Sequence, residues 1–159
     1  MQQEITLTIN KSKLIQAYSN GNEAAQELLA ELFGKEIVPP KITDRIKTFE
    51  DACEALGINP EDVLPNSKIE RLEVTAVSKL FIIAEALNEG WKPDWRDSNQ
   101  NKYMPWFEDK SGLGLSFNGV GNWNANSNIG SRLCFKSREL AEYAGKQFED
   151  IYKQFLIIQ

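Results

Sequence analysis

The chain has 159 residues, of which 42% are hydrophobic and 26% charged, a composition typical of one globular domain with a short appended segment. It contains no histidine, which excludes Ser-His-Asp triads, Cys-His pairs and zinc motifs built on imidazole. The net charge of −5 disfavours general binding to nucleic acid or to anionic membranes. We therefore expect no metal and no cofactor.

The two cysteines point to a reducing compartment. Cys53 and Cys134 are far apart in the sequence and lie among apolar neighbours, which is typical of buried free thiols and not of a disulfide framework. The first residues do not form a signal peptide, because no basic segment precedes an apolar one. No apolar run is long enough to span a bilayer. These features predict a soluble cytoplasmic protein.

Residues 1–38 are predicted to form an N-terminal arm with one strand and two helices. The strand is indicated by apolar residues that alternate with threonines, namely Ile5, Leu7 and Ile9. Asn10 is suited to cap the first helix, and Gly34 to end the second. A helix cannot continue through Pro39-Pro40, so we place the start of the main domain at residues 42–159. The arm is a candidate route to homo-oligomers, since its apolar helical stripe must be covered by its own domain or by another copy.

The main domain is predicted to begin with helices. Thr48 and Asp51 have the spacing of a capping box, in a short helix that Gly57 ends, and Asn59-Pro60 begins another helical turn. A long amphipathic helix is then indicated by Ile69, Leu72, Ala76, Leu80, Ile83 and Leu87. Ser137 is suited to cap a final long helix, whose stripe comprises Leu140, Ala144, Phe148, Ile151, Phe155 and Ile158.

Between these helices the pattern changes to short strands. Tyr103–Phe107, Leu113–Phe117 and Leu133–Phe135 are predicted to be three strands, and Pro105 indicates that the first is an edge strand. The segment Asn118–Asn128 is rich in Asn and Gly and is predicted to be a long loop. The fold class is therefore α+β: a small antiparallel sheet, of about three strands plus the N-terminal strand, packed against two long amphipathic helices.

All four tryptophans fall close together in the sequence, and acids share their window. The tryptophans are Trp91, Trp95, Trp106 and Trp123, and the acids are Asp94, Asp97, Glu108 and Asp109. Aromatic faces are suited to ligand or partner binding, whereas two carboxyls could act as the acid and the nucleophile of a glycan hydrolase. The plain structural interpretation is that the rings form core and that the acids are solvated.

The loop and the residues after it complete the set of candidate binding residues. Trp123 would be a rigid apolar anchor, and Asn122, Asn124 and Asn126 would supply adaptable hydrogen bonds around it. A solvated turn is the alternative. Arg132, with Lys136 and Arg138, forms a basic cluster that could meet an anion near the start of the final helix.

Three segments resemble a family of small uncharacterised proteins of bacterial phages and prophages. Residues 44–57 contain KTFEDACEALG, residues 86–95 read ALNEGWKPDW, and residues 130–148 read GSRLCFKSRELAEYAGKQF. The similarity covers roughly residues 42–158. It implies a role in a mobile element, inside the host cell or associated with the virion, and carries over no catalytic residues. We therefore expect a phage-associated, non-enzymatic binding module; the alternatives are a carboxylate-dependent glycan hydrolase and a purely structural phage protein.

Overall fold

The computed structural model describes residues 8–63, 72–109, 112, 114–126 and 130–157. The chain divides into two compact units, residues 1–41 and residues 42–159. The predicted strand around Ile5 and Leu7 lies outside the described residues. No helix in the described ranges is long and apolar enough to cross a bilayer.

The first unit contains two helices whose ends follow the predicted capping residues. Helix α1 is Lys11–Asn20, and the Asn10 side chain accepts hydrogen bonds from the first-turn backbone N–H groups. Helix α2 is Glu23–Phe33; Asn22 caps its start, and Gly34 follows it with a φ of 77°. A short 3-10 helix, Lys35–Ile37, completes this unit's described secondary structure.

In the second unit, α3 is Ile42–Arg45, α4 is Phe49–Leu56, α5 is Pro60–Val63 and α6 is Leu72–Asn88. The predicted capping box of α4 is present. Thr48 Oγ1 accepts the N–H of Asp51, while Asp51 Oδ2 accepts the N–H groups of Thr48 and Lys47. Those two backbone donors hold the pKa of the Asp51 carboxyl below its usual value. Gly57 ends α4 in the left-handed conformation that glycine favours.

Helix α6 is the centre of the hydrophobic core and packs against α4 and, near the C-terminus, against α8 (Glu149–Leu156). The side chains buried here include Phe49, Cys53, Leu80, Ile83, Leu87, Phe135, Leu140, Ala144 and Tyr152. Both cysteines are buried and free, as the sequence predicts. Burial raises the pKa of the Cys134 thiol to about 11.

The sheet has two strands among the described residues, so the prediction of a third strand at Leu133–Phe135 is not confirmed. Strands β1, Lys102–Glu108, and β2, Ser116–Trp123, pair antiparallel. Leu133 instead belongs to a 3-10 turn, and Phe135 forms one isolated bridge with Tyr103. The ladder stops there because the chain is not extended on either side of this short segment: Ser131–Leu133 form the 3-10 turn, and Ser137 caps a helix. The Asn88 side chain binds the carbonyl of Cys134 and the N–H of Lys136, which point away from β1.

The Asn- and Gly-rich segment is a strand in its first half, which corrects the predicted loop. Residues 119–123 pair with β1, and Trp106 lies opposite Gly119 while Phe107 lies opposite Phe117. Asn118 is therefore the extra residue of a β-bulge. Low strand propensity is overridden because pairing along β1 places Phe117 on the packed side of the sheet. Residues 127–129 of the predicted loop lie outside the described ranges.

The predicted final helix is divided in two. Helix α7 is Arg138–Gln147, with Ser137 as its cap, and α8 begins after Phe148, whose backbone is not helical. Helix α7 packs on the sheet and α8 packs on α6, and the bend at the buried Phe148 allows both contacts. One long helix, α6, is therefore present in the described ranges in place of the two predicted.

Candidate binding surface

One face of the sheet is closed by α7. Side chains of alternate strand residues point to the same face, and directly opposite residues share a face. Pro105, Phe107 and Phe117 therefore lie together, and the Phe107 and Phe117 rings meet edge to face with centroids 6.1 Å apart. They pack on α7 at Gly145, where a Cβ atom would lie 2.9 Å from the Cβ of Pro105. The side chain of Lys146 lies over the Phe117 ring.

The opposite face carries two exposed tryptophans, and we call it the tryptophan face. It comprises Lys102, Met104, Trp106, Gly119, Gly121 and Trp123, from the alternation along both strands. Trp106 is 52% exposed and Trp123 is 39% exposed. The indole Nε1–H of Trp123 donates to the sulfur of Met104 at 2.9 Å, which holds this ring beside β1. A Cβ atom at Gly119 would meet nothing within 4 Å, so the face is open beside Trp106.

A fully buried lysine attaches Trp95 to the tryptophan face. Lys102 Nζ donates to the carbonyls of Asp97 and Gln100, at 3.0 and 2.7 Å, and lies 5.4 Å from the centre of the Trp95 ring. The indole N–H of Trp95 also donates to Ser131 Oγ at 2.6 Å. Lys102 pairs directly with Trp123 across the sheet, so Trp95, Trp123 and Trp106 follow one another along this side. The sequence carried no signal for Lys102, because a lysine next to a strand is ordinarily solvated.

The candidate asparagines contribute mainly to internal contacts. Asn122 Nδ2 donates to Asn101 Oδ1, and Asn124 Nδ2 donates to the carbonyl of Ser98 at 2.8 Å. Both bonds tie the end of β2 to the segment before β1. Asn126 is exposed, in the turn beyond the strand. Two of the three side-chain amides therefore each use one N–H donor to position the end of β2.

Trp91 and Arg132 lie apart from the tryptophan face and line a separate cavity with Phe81. Trp91 is half-buried, and the Arg132 guanidinium lies 5.6 Å from the Phe81 ring centre. The predicted basic cluster is not assembled. Lys136 pairs with Glu89, and Arg138 donates to the carbonyl of Val120 and stacks on Tyr103. None of the four tryptophans belongs to the buried core.

The four candidate acids lie at the two ends of β1. Asp94 and Asp97 accept the backbone N–H groups of Arg96 and Asn99, and Glu108 accepts a hydrogen bond from the Asn118 amide. Asp94 and Asp97 precede β1, whereas Glu108 is its last residue and Asp109 follows it, and β1 itself is about 20 Å long at about 3.3 Å per residue. Neither cavity that we describe is lined by any of the four. Among the described residues, no three Cys, Asp or Glu side chains are grouped as a metal site requires.

An apolar groove of about 220 Å³ adjoins the tryptophan face, between β1 and α8. Its walls include Met104, Trp106, Leu115, Leu133, Phe155 and Leu156. Leu156, at its margin, is 42% exposed. The sequence indicated Phe155 as a core residue, and the groove was missed because it depends on the bend between α7 and α8.

The edge of β1 beside this groove is open beyond one bridge. The N–H and C=O of Tyr103 point away from β2 and bond to Phe135, at 3.1 and 2.8 Å. Because backbone groups alternate in direction along a strand, those of Pro105 and Phe107 point the same way. Pro105 therefore removes no donor from the β1–β2 ladder, which explains its place in the strand.

No family model, curated protein or solved structure matches this chain.

Proposed function

We propose that this protein is a non-enzymatic binding module that recognises an extended, apolar segment of another protein, in the setting of a phage or prophage. The observation that carries the proposal is the pair of exposed indole rings, Trp106 and Trp123, on the sheet face opposite α7 and beside an apolar groove. The phage setting rests on the family resemblance of residues 42–158.

Aromatic anchors and apolar pockets are what a protein interface uses for most of its binding energy. Trp106 keeps about half of its surface in contact with water, and a partner side chain in the groove would cover it together with Leu156. The hydrogen bond from Trp123 to Met104 holds its ring in place before binding, so little rotamer freedom is lost. The groove is lined mainly by carbon, which favours an apolar segment over a polar glycan.

The open edge of β1 supports an extended conformation for that segment. The carbonyl of Pro105 and the N–H and carbonyl of Phe107 point towards the groove side, where a partner strand could bond to them while its alternate side chains enter the groove. The free edge is short, so the backbone contribution is small and the Trp and Leu contacts must supply specificity.

The hydrolase alternative receives no support, since none of its candidate acids lines either of the two cavities; these acids are Asp94, Asp97, Glu108 and Asp109. A purely structural phage role is the alternative that the following experiment separates from binding.

The test compares the partners of the wild-type protein with those of three variants. Proteins that co-purify from phage-infected or prophage-carrying cells are identified by mass spectrometry, and the direct partner is then titrated in purified form. Trp106→Ala and Leu156→Ser should each lower the affinity for that partner by about tenfold or more. Trp91→Ala is the matched control, because this tryptophan lies outside the proposed surface, and it should bind like wild type.

NMR of the indole N–H groups supplies the second measurement. The signals of Trp106 and Trp123 should shift on adding the partner, while that of Trp91 stays in place. Equal affinity of the partner for Trp106→Ala, Leu156→Ser and wild type would refute the proposal. It would leave the structural role.

We further propose that the arm mediates self-association. Within its own unit, α2 leaves two leucines of its apolar stripe exposed: Leu28 is 55% and Leu32 is 64% exposed. A second copy could cover them. Light scattering on the full chain should report a dimer that Leu28→Glu and Leu32→Glu convert to a monomer; a monomeric wild-type protein would contradict this.

A further inference from the structure

A second cavity, of about 430 Å³, lies at the C-terminal end of α6 and is separate from the groove of the proposed partner surface. Its walls come from α6, from the turn at residues 90–93 and from the 3-10 turn Ser131–Leu133. The side chains that matter for its chemistry are Phe81, Glu85, Trp91, Lys92 and Arg132. Cavities of this size are typical of small-molecule sites.

The cavity is held open by the backbone around it. Phe81, Glu85 and Asn88 recur at helical spacing, so they line one face of α6. Asn88 is buried and binds the backbone on both sides of Phe135, which anchors the strand-like segment after Arg132. Glu89 and Gly90 adopt left-handed conformations, with φ of 49° and 82°, and turn the chain back so that Trp91 faces α6. The site is therefore largely formed without a ligand.

Two cations in the cavity have no acidic partner among the described residues. Neither Arg132 nor Lys92 forms an ion pair there, whereas Arg45 and Lys136 are both paired with Glu89. The Arg132 guanidinium lies over the Phe81 ring, 5.6 Å from its centre, which orients the planar group and leaves its edge for hydrogen bonds. Glu85 is the one acid of the lining. The local charge is thus +1, in a chain whose net charge is −5.

We propose that this cavity binds a small organic acid that combines a flat ring with a single anionic group, either a carboxylate or a phosphate. The ring would lie against Trp91, and the anionic group would accept hydrogen bonds from Arg132 with Lys92 nearby. Glu85 disfavours additional negative charge, so polyanions are poor ligands. This site does not depend on the proposed partner surface, since the two share no residue.

The test is titration of the full chain with two ring acids and with their neutral counterparts. Binding is monitored by the NMR signal of the Trp91 indole N–H. The probes are 1-naphthoate with 1-naphthalenemethanol, and adenosine 5′-monophosphate with adenosine. At least one acid should bind saturably, with a Kd on the order of 1 mM or tighter, and its neutral counterpart at least about tenfold more weakly. Preference for naphthoate identifies a carboxylate ligand, and preference for the nucleotide identifies a phosphate ligand.

Two variants and a control locate the binding. Arg132→Gln should lower the affinity for the acid by about tenfold or more, because it removes a charged donor pair. Glu85→Gln should strengthen it severalfold, a gain that a folding defect cannot produce. Arg96→Gln is the matched control, since Arg96 does not line the cavity, and it should bind like wild type.

Three results would overturn the proposal. They are no saturable binding of either acid, equal binding of the acid and its neutral counterpart, or affinity unchanged by Arg132→Gln. If Arg132→Gln does not fold, as judged by circular dichroism, the Glu85→Gln result decides: an unchanged or lower affinity overturns the assignment.

Discussion

The contact between α7 and the sheet depends on the absence of a side chain at Gly145. A Cβ atom built there would lie 2.6 Å from Phe117 Cε2 and 2.9 Å from Pro105 Cβ, about 1 Å inside normal carbon contact. Neither neighbour moves freely, because the Phe117 ring packs edge to face on Phe107 and the Pro105 ring is part of the paired strand. Gly145→Ala should therefore force the helix away from the sheet.

The expected magnitude is the difference between two opposing effects. Alanine in a helix interior is favoured over glycine by about 1 kcal/mol. Overpacking of a close contact costs about 1–3 kcal/mol, and the rigid proline puts this site near the upper end. The free energy of unfolding should fall by about 1–2 kcal/mol net, which corresponds to a Tm lower by about 4–8 °C for a unit of this size.

The assay is urea unfolding followed by tryptophan fluorescence, with scanning calorimetry for Tm. Glu142→Ala is the control on the same helix; it removes an exposed pair with Lys146 and should cost about 0.5 kcal/mol or less. In a Phe117→Leu background, Gly145→Ala should lower the free energy of unfolding less than it does in wild type. The double-mutant cycle should give a coupling energy of about 1 kcal/mol. A Gly145→Ala protein as stable as wild type, with no coupling to Phe117, would refute this account of the helix–sheet contact.

The other predictions concern Lys102 and high pH. Lys102→Met should lower the free energy of unfolding by about 1–3 kcal/mol, because the carbonyls of Asp97 and Gln100 lose their donor. The control Lys92→Met, at an exposed turn, should change it little. Equal effects of the two substitutions in urea unfolding would contradict the role of Lys102. Stability should also fall between pH 9 and 11. Burial raises the pKa of the Cys134 thiol from its usual 9.0 to about 11 and also raises the pKa of Tyr152, so the unfolded groups ionise first. The Cys134 thiol accounts for about 2–3 kcal/mol of the free energy of unfolding, which is present below pH 9 and lost by pH 11. In urea unfolding across this range, the stability of Cys134→Ala should decline less steeply than that of wild type. An identical decline would refute this role of Cys134.

Local signals in the sequence predicted the helix ends well. The caps at Asn10, Thr48 and Ser137 and the stops at Gly34 and Gly57 all occur as expected. Each of these features depends on side-chain and backbone groups within a few residues, so the chain nearby contains all the information that is needed.

The strand predictions succeeded less because strand pairing is not local. Nothing near Leu133 indicates that this segment forms a 3-10 turn and only one bridge, Phe135 with Tyr103, to a strand far earlier in the sequence. Likewise, the Asn- and Gly-rich residues 118–123 become a strand because they face β1 and because a bulge turns Phe117 inward. The bend at Phe148 is decided by two separate surfaces, the sheet and α6, which α7 and α8 each cover.

The candidate site shows the same division. Composition by itself excluded histidine-based catalysis, and the order of the residues showed that all four tryptophans lie between residues 91 and 123. Only the tertiary structure decided which rings lie together: Trp95, Trp123 and Trp106 along one side of the sheet, and Trp91 in a different cavity with Arg132. Residue types set the chemistry that is available, whereas exposure and proximity follow from which face α7 covers, and that choice rests on contacts between residues far apart in the chain.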